Sequence, residues 1–214
     1  MIERPAIALI GSPLVGPAVW GPVDERLRGL GWRSRTLDVL SPGRPPDEHS
    51  ILIAHSNAGA YLPELAMQSS ASSLVFFDAI LPGSMGRTPV APETAIPRLA
   101  ALADSNGLLP PWTTWWDEAD VAALFPDDET RRRVAAEEPR LPLTYFSQSI
   151  DAPKGWDERP AAYVTFGETY AAERADAESR GWPTRTLPGN HLHMLVDPDA
   201  VTGVLLELVT YGLP

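Results

Sequence analysis

Four short apolar runs constrain what this chain can fold into: Pro5–Gly11 (PAIALIG), Ser50–His55 (SILIAH), Ser73–Ala79 (SLVFFDA) and Ala161–Gly167 (AAYVTFG). Near-continuous apolar runs of this length read as strands buried on both faces, which is the habit of a parallel sheet. Parallel neighbours need crossover connections, and helical patterns fall between the runs at Val23–Leu30, Asn57–Gln68 and Tyr170–Arg180, with a terminal helix at Asp199–Val209. Arg33–Leu40 and Thr184–Leu187 add two more polar strands. The expectation is an α/β protein, with a mostly parallel sheet of about six strands and helices on both faces.

One stretch breaks the alternation. From about Leu81 to Asp157 no strand is expected. The segment is rich in proline and holds Trp112, Trp115, Trp116 and Trp156, with short helices expected at Glu93–Ala103, Asp117–Leu124, Asp128–Glu138 and Thr144–Ile150. A helical insertion between two strands of such a sheet usually covers the strands' C-terminal edge, where ligands bind. The whole chain, 1–214, is therefore expected to be one domain with a cap insertion at about 82–157. Three tryptophans within five residues carry too much aromatic surface to leave in water: Trp112, Trp115 and Trp116 either pack the core or line a pocket, and the favoured expectation is that with Leu14 they line a pocket for an apolar or aromatic small molecule.

Composition narrows the partners. Lys plus Arg total 17 against 28 Asp plus Glu, a net charge of −11. A chain this acidic repels phosphate backbones and anionic membranes, so neither nucleic acid nor membrane is an expected partner. No apolar run approaches the ~20 residues that span a bilayer. The apolar part of Met1–Gly11 is too short for the core of a secretory signal, so a cytoplasmic protein is expected. With no cysteine there is neither a disulfide nor a thiolate site. The four histidines, His49, His55, His191 and His193, lack metalloprotease spacing, and no metal or organic cofactor is expected. Oligomeric state is not legible.

Two segments carry chemistry. In Ile51–Gly59 (ILIAHSNAG) a strand runs into Ala54-His55-Ser56-Asn57-Ala58 and then a helix. Small residues two positions either side of Ser56 are what a tight strand-to-helix turn demands if it is to expose a serine Oγ beside free helix N–H groups. A serine that merely caps the helix would read similarly. In Leu187–Pro198 (LPGNHLHMLVDP) a histidine loop follows the last strand, where a base is expected in a Ser…acid…His chain order. His191 and His193 both compete for that place.

These segments together resemble the α/β-hydrolase superfamily, in particular its small esterase and hydroxynitrile-lyase-like branch, over nearly the whole chain. Ile10-Gly11-Ser12-Pro13 stands at the family's His-Gly oxyanion loop, with Ile10 replacing the usual histidine. AHSNAG stands at its nucleophile elbow, FFDAILP at the following strand exit, and GNHLHMLVDP at its histidine loop. The resemblance implies Ser56 as nucleophile, His191 as general base with His193 as the alternative, and the Ser12 and Asn57 N–H groups as oxyanion donors. The sheet is a trimmed version, because Ser41–His49 is too short for the usual crossover helix. Two acids compete to orient the histidine. Glu168 lies beside Thr169 at the family's commonest acid position, and Asp78 lies at an alternative one. Asp78 is preferred, because a carboxylate behind two phenylalanines needs a partner to be buried.

The expected function is acyl transfer from an ester, thioester or amide through a Ser-His-acid triad. The alternatives are proton transfer by His191 without an acyl-enzyme, as in lyases, epimerases or cyclases, and a ligand-binding protein that keeps the pocket.

Overall fold

The computed structural model describes residues 4–41 and 44–212. Residues 1–3 of the opening segment and 42–43 of the Ser41–His49 connection lie outside the described residues. The strands are β1 (Ile7–Ile10), β2 (Ser34–Leu37), β3 (Ile51–His55), β4 (Ser73–Phe77), β5 (Gly86–Pro89), β6 (Ser149–Ala152), β7 (Ala161–Thr165) and β8 (Thr184–Thr186). The helices are α1 (Gly21–Gly29), α2 (Leu62–Gln68), α3 (Ile96–Leu102), α4 (Glu118–Ala122), α5 (Asp128–Ala135), α6 (Leu143–Phe146), α7 (Ala171–Ser179), α8 (His193–Val196) and α9 (Pro198–Glu207). No helix among the described residues is long and apolar enough to cross a membrane.

Six strands form one sheet in the order β2-β1-β3-β4-β7-β8, every pairing parallel. Alternate side chains go to opposite faces, which is why the apolar runs are nearly continuous. On one face Leu9, Ile53, Val75, Phe77 and Val164 pack with Val23 and Leu27 of α1 and Val201 and Leu205 of α9. On the other, Ile10, Leu52, Phe76 and Tyr163 pack with Leu62 and Ala66 of α2 and Ala177 of α7. Each fully buried side chain of this size contributes about 1.5–3 kcal/mol. The α/β architecture with helices on both faces is thus fixed by residues one apart in sequence. Trp156 belongs to this framework: it is fully buried against Phe76 and Trp182.

The chain leaves β1 for β2 on one side and returns to β3 on the other, so the sheet switches direction between β1 and β3. A crevice opens outside the carboxyl ends of strands at such a point. The exits of β1, β3, β4 and β7 are immediate neighbours there.

Three local expectations need correction. The Asn57–Gln68 helix divides into a 3₁₀ turn at Ser56–Tyr61 and then α2, the tighter turn following directly on the strand end. The Leu81–Asp157 stretch is not strand-free: β5 and β6 form an antiparallel ribbon, Gly86 paired with Ala152. Its sequence has no apolar alternation because β5 is mostly exposed. The Thr144–Ile150 helix is only the short α6, and its end enters β6 instead. The other insertion helices occur as α3, α4 and α5. Val90, Leu99, Leu109, Leu141, Tyr145 and Phe146 give the insertion a hydrophobic cluster of its own.

Gly59 shows how tightly the elbow is packed. A Cβ placed there would lie 2.1 Å from the Ile80 carbonyl oxygen, backbone that has nowhere to move. Gly203, inside α9, has open space around it. Gly59→Ala should therefore cost about 1–3 kcal/mol of unfolding free energy, while Gly203→Ala should be neutral or gain up to about 1 kcal/mol. Urea denaturation of the two variants tests this, and equal midpoints would contradict the close approach.

Candidate active site

The serine is presented by a backbone that only a defined turn tolerates. Ser56 has φ +57°, in the left-handed region that non-glycine residues rarely adopt. The Ile80 N–H donates to the Ser56 carbonyl at 3.1 Å, and the Asn57 side-chain amide donates to the Val90 carbonyl at 2.5 Å. The elbow is thereby tied to the β4 exit and to the insertion. Asn57 lies in the first turn of the 3₁₀ helix, where backbone N–H groups have no acceptor within the helix. Ser12 is buried in the turn after β1, its Oγ accepting from the Leu14 N–H at 3.3 Å.

Asp78 lies one residue past β4 and also has a left-handed backbone, φ +44°. Its N–H donates to the Val164 carbonyl at 2.7 Å. Tyr163 clamps the same turn, its hydroxyl accepting from the Ala79 N–H at 3.1 Å and donating to the Ala79 carbonyl. Both carboxylate oxygens are used. Oδ1 accepts from the Phe166 N–H at 3.2 Å, and Oδ2 lies 2.6 Å from His191 Nδ1. A buried carboxylate so bonded makes Nδ1 the protonated nitrogen and leaves Nε2 as an acceptor. Glu168 is placed elsewhere: its side chain is 79% exposed and faces Arg174 at 3.8 Å. Thr169, its neighbour, turns into the crevice instead.

His191 comes from the loop between β8 and α8. Its ring stacks on Tyr170 (centroids 5.8 Å apart, 24° between planes) and lies 4.4 Å from the His55 ring. His193 is not brought to the site; it packs edge-on to Phe166 and against Gly189. Among the described residues no group of three or more His, Asp or Glu is arranged to hold a metal ion.

Ser56, Asn57 and His191 open into one cavity of about 340 Å³, walled by Leu14, Trp112, Trp116, Val121, Leu124 and Tyr170. A second chamber of about 450 Å³ adjoins it, sharing Leu14, Asn57, Trp116, Thr169 and Tyr170. The three tryptophans divide accordingly. Trp112 and Trp116 face the serine chamber, while Trp115 lines the second, with Nε1 donating to the Pro110 carbonyl at 2.8 Å. A cavity of about 330 Å³ at the opposite end of the sheet, by Ala6, Ser34 and Ser50, contains no histidine.

Three residues near Ser56 and His191, namely Tyr170, Tyr163 and His55, carry little or no sequence signal of this placement. Ser56 Oγ has its hydrogen bond at 3.4 Å to the Tyr170 hydroxyl rather than to His191. In the sequence Tyr170 reads only as the start of a helix and Tyr163 only as part of a buried strand. His55 did carry a signal, being the one polar side chain in an otherwise apolar strand. It is fully buried, and Nε2 donates to the His191 carbonyl at 2.9 Å. Nδ1 has no partner among the described residues. Burial, reinforced by the nearby His191, holds the His55 pKa well below its ordinary value, so the ring stays neutral.

No protein-family model matches the sequence, and no curated protein matches it. Solved structures do. An extracellular α/β-hydrolase from a Paenibacillus species, described as sharing structural and functional homology with tobacco salicylic acid binding protein 2, superposes with a TM-score of 0.70 at 16% identity, covering 95% of this chain and 98% of its own. Tomato methylketone synthase I, in complex with beta-ketoheptanoate, has a TM-score of 0.68 at 14% identity over 97% of this chain and 98% of its own. The pyrethroid hydrolase PytH has a TM-score of 0.66 at 19% identity, with the same coverage. The fold is that of the α/β-hydrolases.

The buried neutral His55 makes stability depend on pH. Above about pH 6.5 both folded and unfolded chains leave it uncharged; below that the unfolded chain takes up a proton that the folded chain refuses. Stability is therefore full above this value and falls on acidification, by up to about 2 kcal/mol from this residue at pH 5. His55→Gln, which keeps an amide donor without titrating, should lose correspondingly less between pH 7.5 and 5 in urea unfolding. An identical acid loss in both proteins would exclude His55 as the cause.

Proposed function

We propose that the protein is a serine hydrolase acting on an ester, or on a related thioester or amide, of a small apolar or aromatic molecule. One observation carries this reading: Ser56, on its strained turn, opens into the same cavity as His191, whose far nitrogen is bonded to buried Asp78. The hydrolases among the structural neighbours support it. In this reading residues 1–214 are one domain, and the insertion at about 82–157 is a cap that encloses the substrate with Trp112 and Trp116.

The chemistry follows from the placement of each group. Ser56 Oγ gives its proton to His191 Nε2 and bonds to the substrate carbonyl carbon. The carbonyl electron pair moves to oxygen, where the N–H groups of Asn57 and Ser12 receive the charge. Asp78 holds the imidazole in the reactive tautomer and balances the imidazolium. The intermediate collapses, the leaving oxygen, sulfur or nitrogen takes the proton from Nε2, and water repeats the sequence on the acyl-enzyme.

A second reading keeps the pocket but assigns His191 to proton transfer with no acyl-enzyme. The absence of a direct Ser56–His191 hydrogen bond among the described residues favours it, although such bonds are often long before substrate binds. Labelling with a fluorophosphonate separates the two. The hydrolase reading expects rapid modification of Ser56 and loss of both label and esterase turnover in Ser56→Ala, by roughly 10⁴- to 10⁶-fold. A Ser56→Ala protein retaining its activity would establish the second reading.

The acid has its own test. Asp78→Asn should lower kcat by about 10⁴-fold, by disfavouring the required histidine tautomer, whereas Glu168→Gln should stay within about twofold, as expected for an exposed group making only a weak surface ion pair. Steady-state rates on p-nitrophenyl butyrate decide it; the reverse ranking would move the acid to Glu168.

A further inference from the structure

Tyr170 is the residue whose position the proposed mechanism leaves unused. Its hydroxyl is 3.4 Å from Ser56 Oγ, and among the described residues that is its one hydrogen-bond partner. Its ring is stacked on His191 and fixed at the entrance to α7, and it lines both chambers, so a scissile bond at Ser56 lies beside it. Burial raises its pKa to about 12, which keeps the phenol protonated at neutral pH. Tyr170 therefore has a proton to donate and is not a base.

A serine hydroxyl has one proton and two lone pairs. With the Ser56 proton directed at His191 Nε2, a lone pair of Oγ remains for the Tyr170 O–H. We propose that Tyr170 is a further catalytic residue that donates a hydrogen bond to Ser56 Oγ and promotes breakdown of the acyl-enzyme; this role rests on the serine-hydrolase reading. During acylation Oγ begins as a neutral nucleophile, and a donor there lowers its nucleophilicity while stabilising the negative charge it gains as its proton leaves, effects that oppose each other. In deacylation only one effect operates. Water, losing a proton to His191 Nε2, adds to the acyl carbon; the C–Oγ bond then breaks and its electron pair goes to Oγ. A donor already held at that atom stabilises the developing alkoxide. Oγ recovers its proton from His191, and Tyr170 keeps its own throughout, so the step balances without another reactant. The 3.4 Å separation shortens as charge accumulates, since hydrogen bonds to an anionic oxygen are shorter and stronger.

Stopped-flow hydrolysis of p-nitrophenyl acetate and butyrate, with fluorophosphonate labelling alongside, tests the role in wild type, Tyr170→Phe and Ser56→Ala. Tyr170→Phe retains the ring that packs on His191. It should be labelled at a rate within about threefold of wild type, which also certifies an intact site. Its steady-state kcat should fall about 10- to 100-fold, the loss expected for one charge-assisted hydrogen bond, with a burst of p-nitrophenol approaching one per protein as acyl-enzyme accumulates. Unchanged turnover in Tyr170→Phe overturns the role, and so does an equal fall in labelling and turnover, which would mark Tyr170 as a residue that only positions His191. Those outcomes leave Ser56 as nucleophile. A Ser56→Ala protein that still hydrolyses the esters, or a wild type that is neither labelled nor active, removes the hydrolase reading and the Tyr170 role with it.

Discussion

The left-handed turn at Ser56 is the constraint on which the rest of the site depends. A backbone at φ +57° costs on the order of 1–3 kcal/mol for a residue with a side chain. It persists because its surroundings allow no alternative. The Ile80 N–H holds the Ser56 carbonyl, and Gly59 lets the following turn rest directly on the Ile80 backbone. Asp78 is the second left-handed residue at the same edge, one strand over, pinned by Val164 and Tyr163. The β4 exit thus holds the strained turn at Ser56 while β7 holds the one at Asp78, so the hydroxyl and the carboxylate are both fixed by neighbouring strands of the sheet.

The histidine reaches this edge from a loop, so its placement needs separate support. Asp78 holds one ring nitrogen, and His55 holds the backbone carbonyl of the same residue. His55 and Tyr170 lie against the His191 ring, leaving it little rotational freedom. Keeping His55 neutral matters here. In the proposed mechanism His191 takes up a proton, which a second imidazolium 4.4 Å away would oppose.

The core of this arrangement was legible in the sequence because burial on both faces of a parallel sheet leaves a direct compositional trace. PAIALIG, SILIAH, SLVFFDA and AAYVTFG mark β1, β3, β4 and β7, with ends displaced by one or two residues. Ser56, Asp78 and His191 stood out because each is a polar residue where an apolar strand or a glycine loop ends. The β5–β6 ribbon left no trace, since strands with hardly a buried face need no hydrophobic pattern. Nor did sequence rank the three clustered tryptophans. Trp116 remains 42% exposed over the serine chamber, while Trp115 packs on Phe146 around the corner, a division set by the path of the insertion. Tyr170 was out of reach for a similar reason: its contact with Ser56 spans 114 residues and exists only once β7 lies beside β4.

Drawing the carboxylate from β4 rather than from β7 has a consequence for how such a site can change. The connection from β7 to α7 carries Glu168, Thr169 and Tyr170, and no residue in it is bonded to Asp78 except through the Phe166 amide at its root. Its side chains are thereby released to shape the two chambers. Substitutions at Thr169 can alter which molecule the chambers admit without touching the Asp78–His191 pair, whereas Tyr170, stacked on His191, bears on both. In the proposed mechanism, Thr169 and the exposed Glu168 can thus diverge while Ser56, Asp78 and His191 keep their geometry.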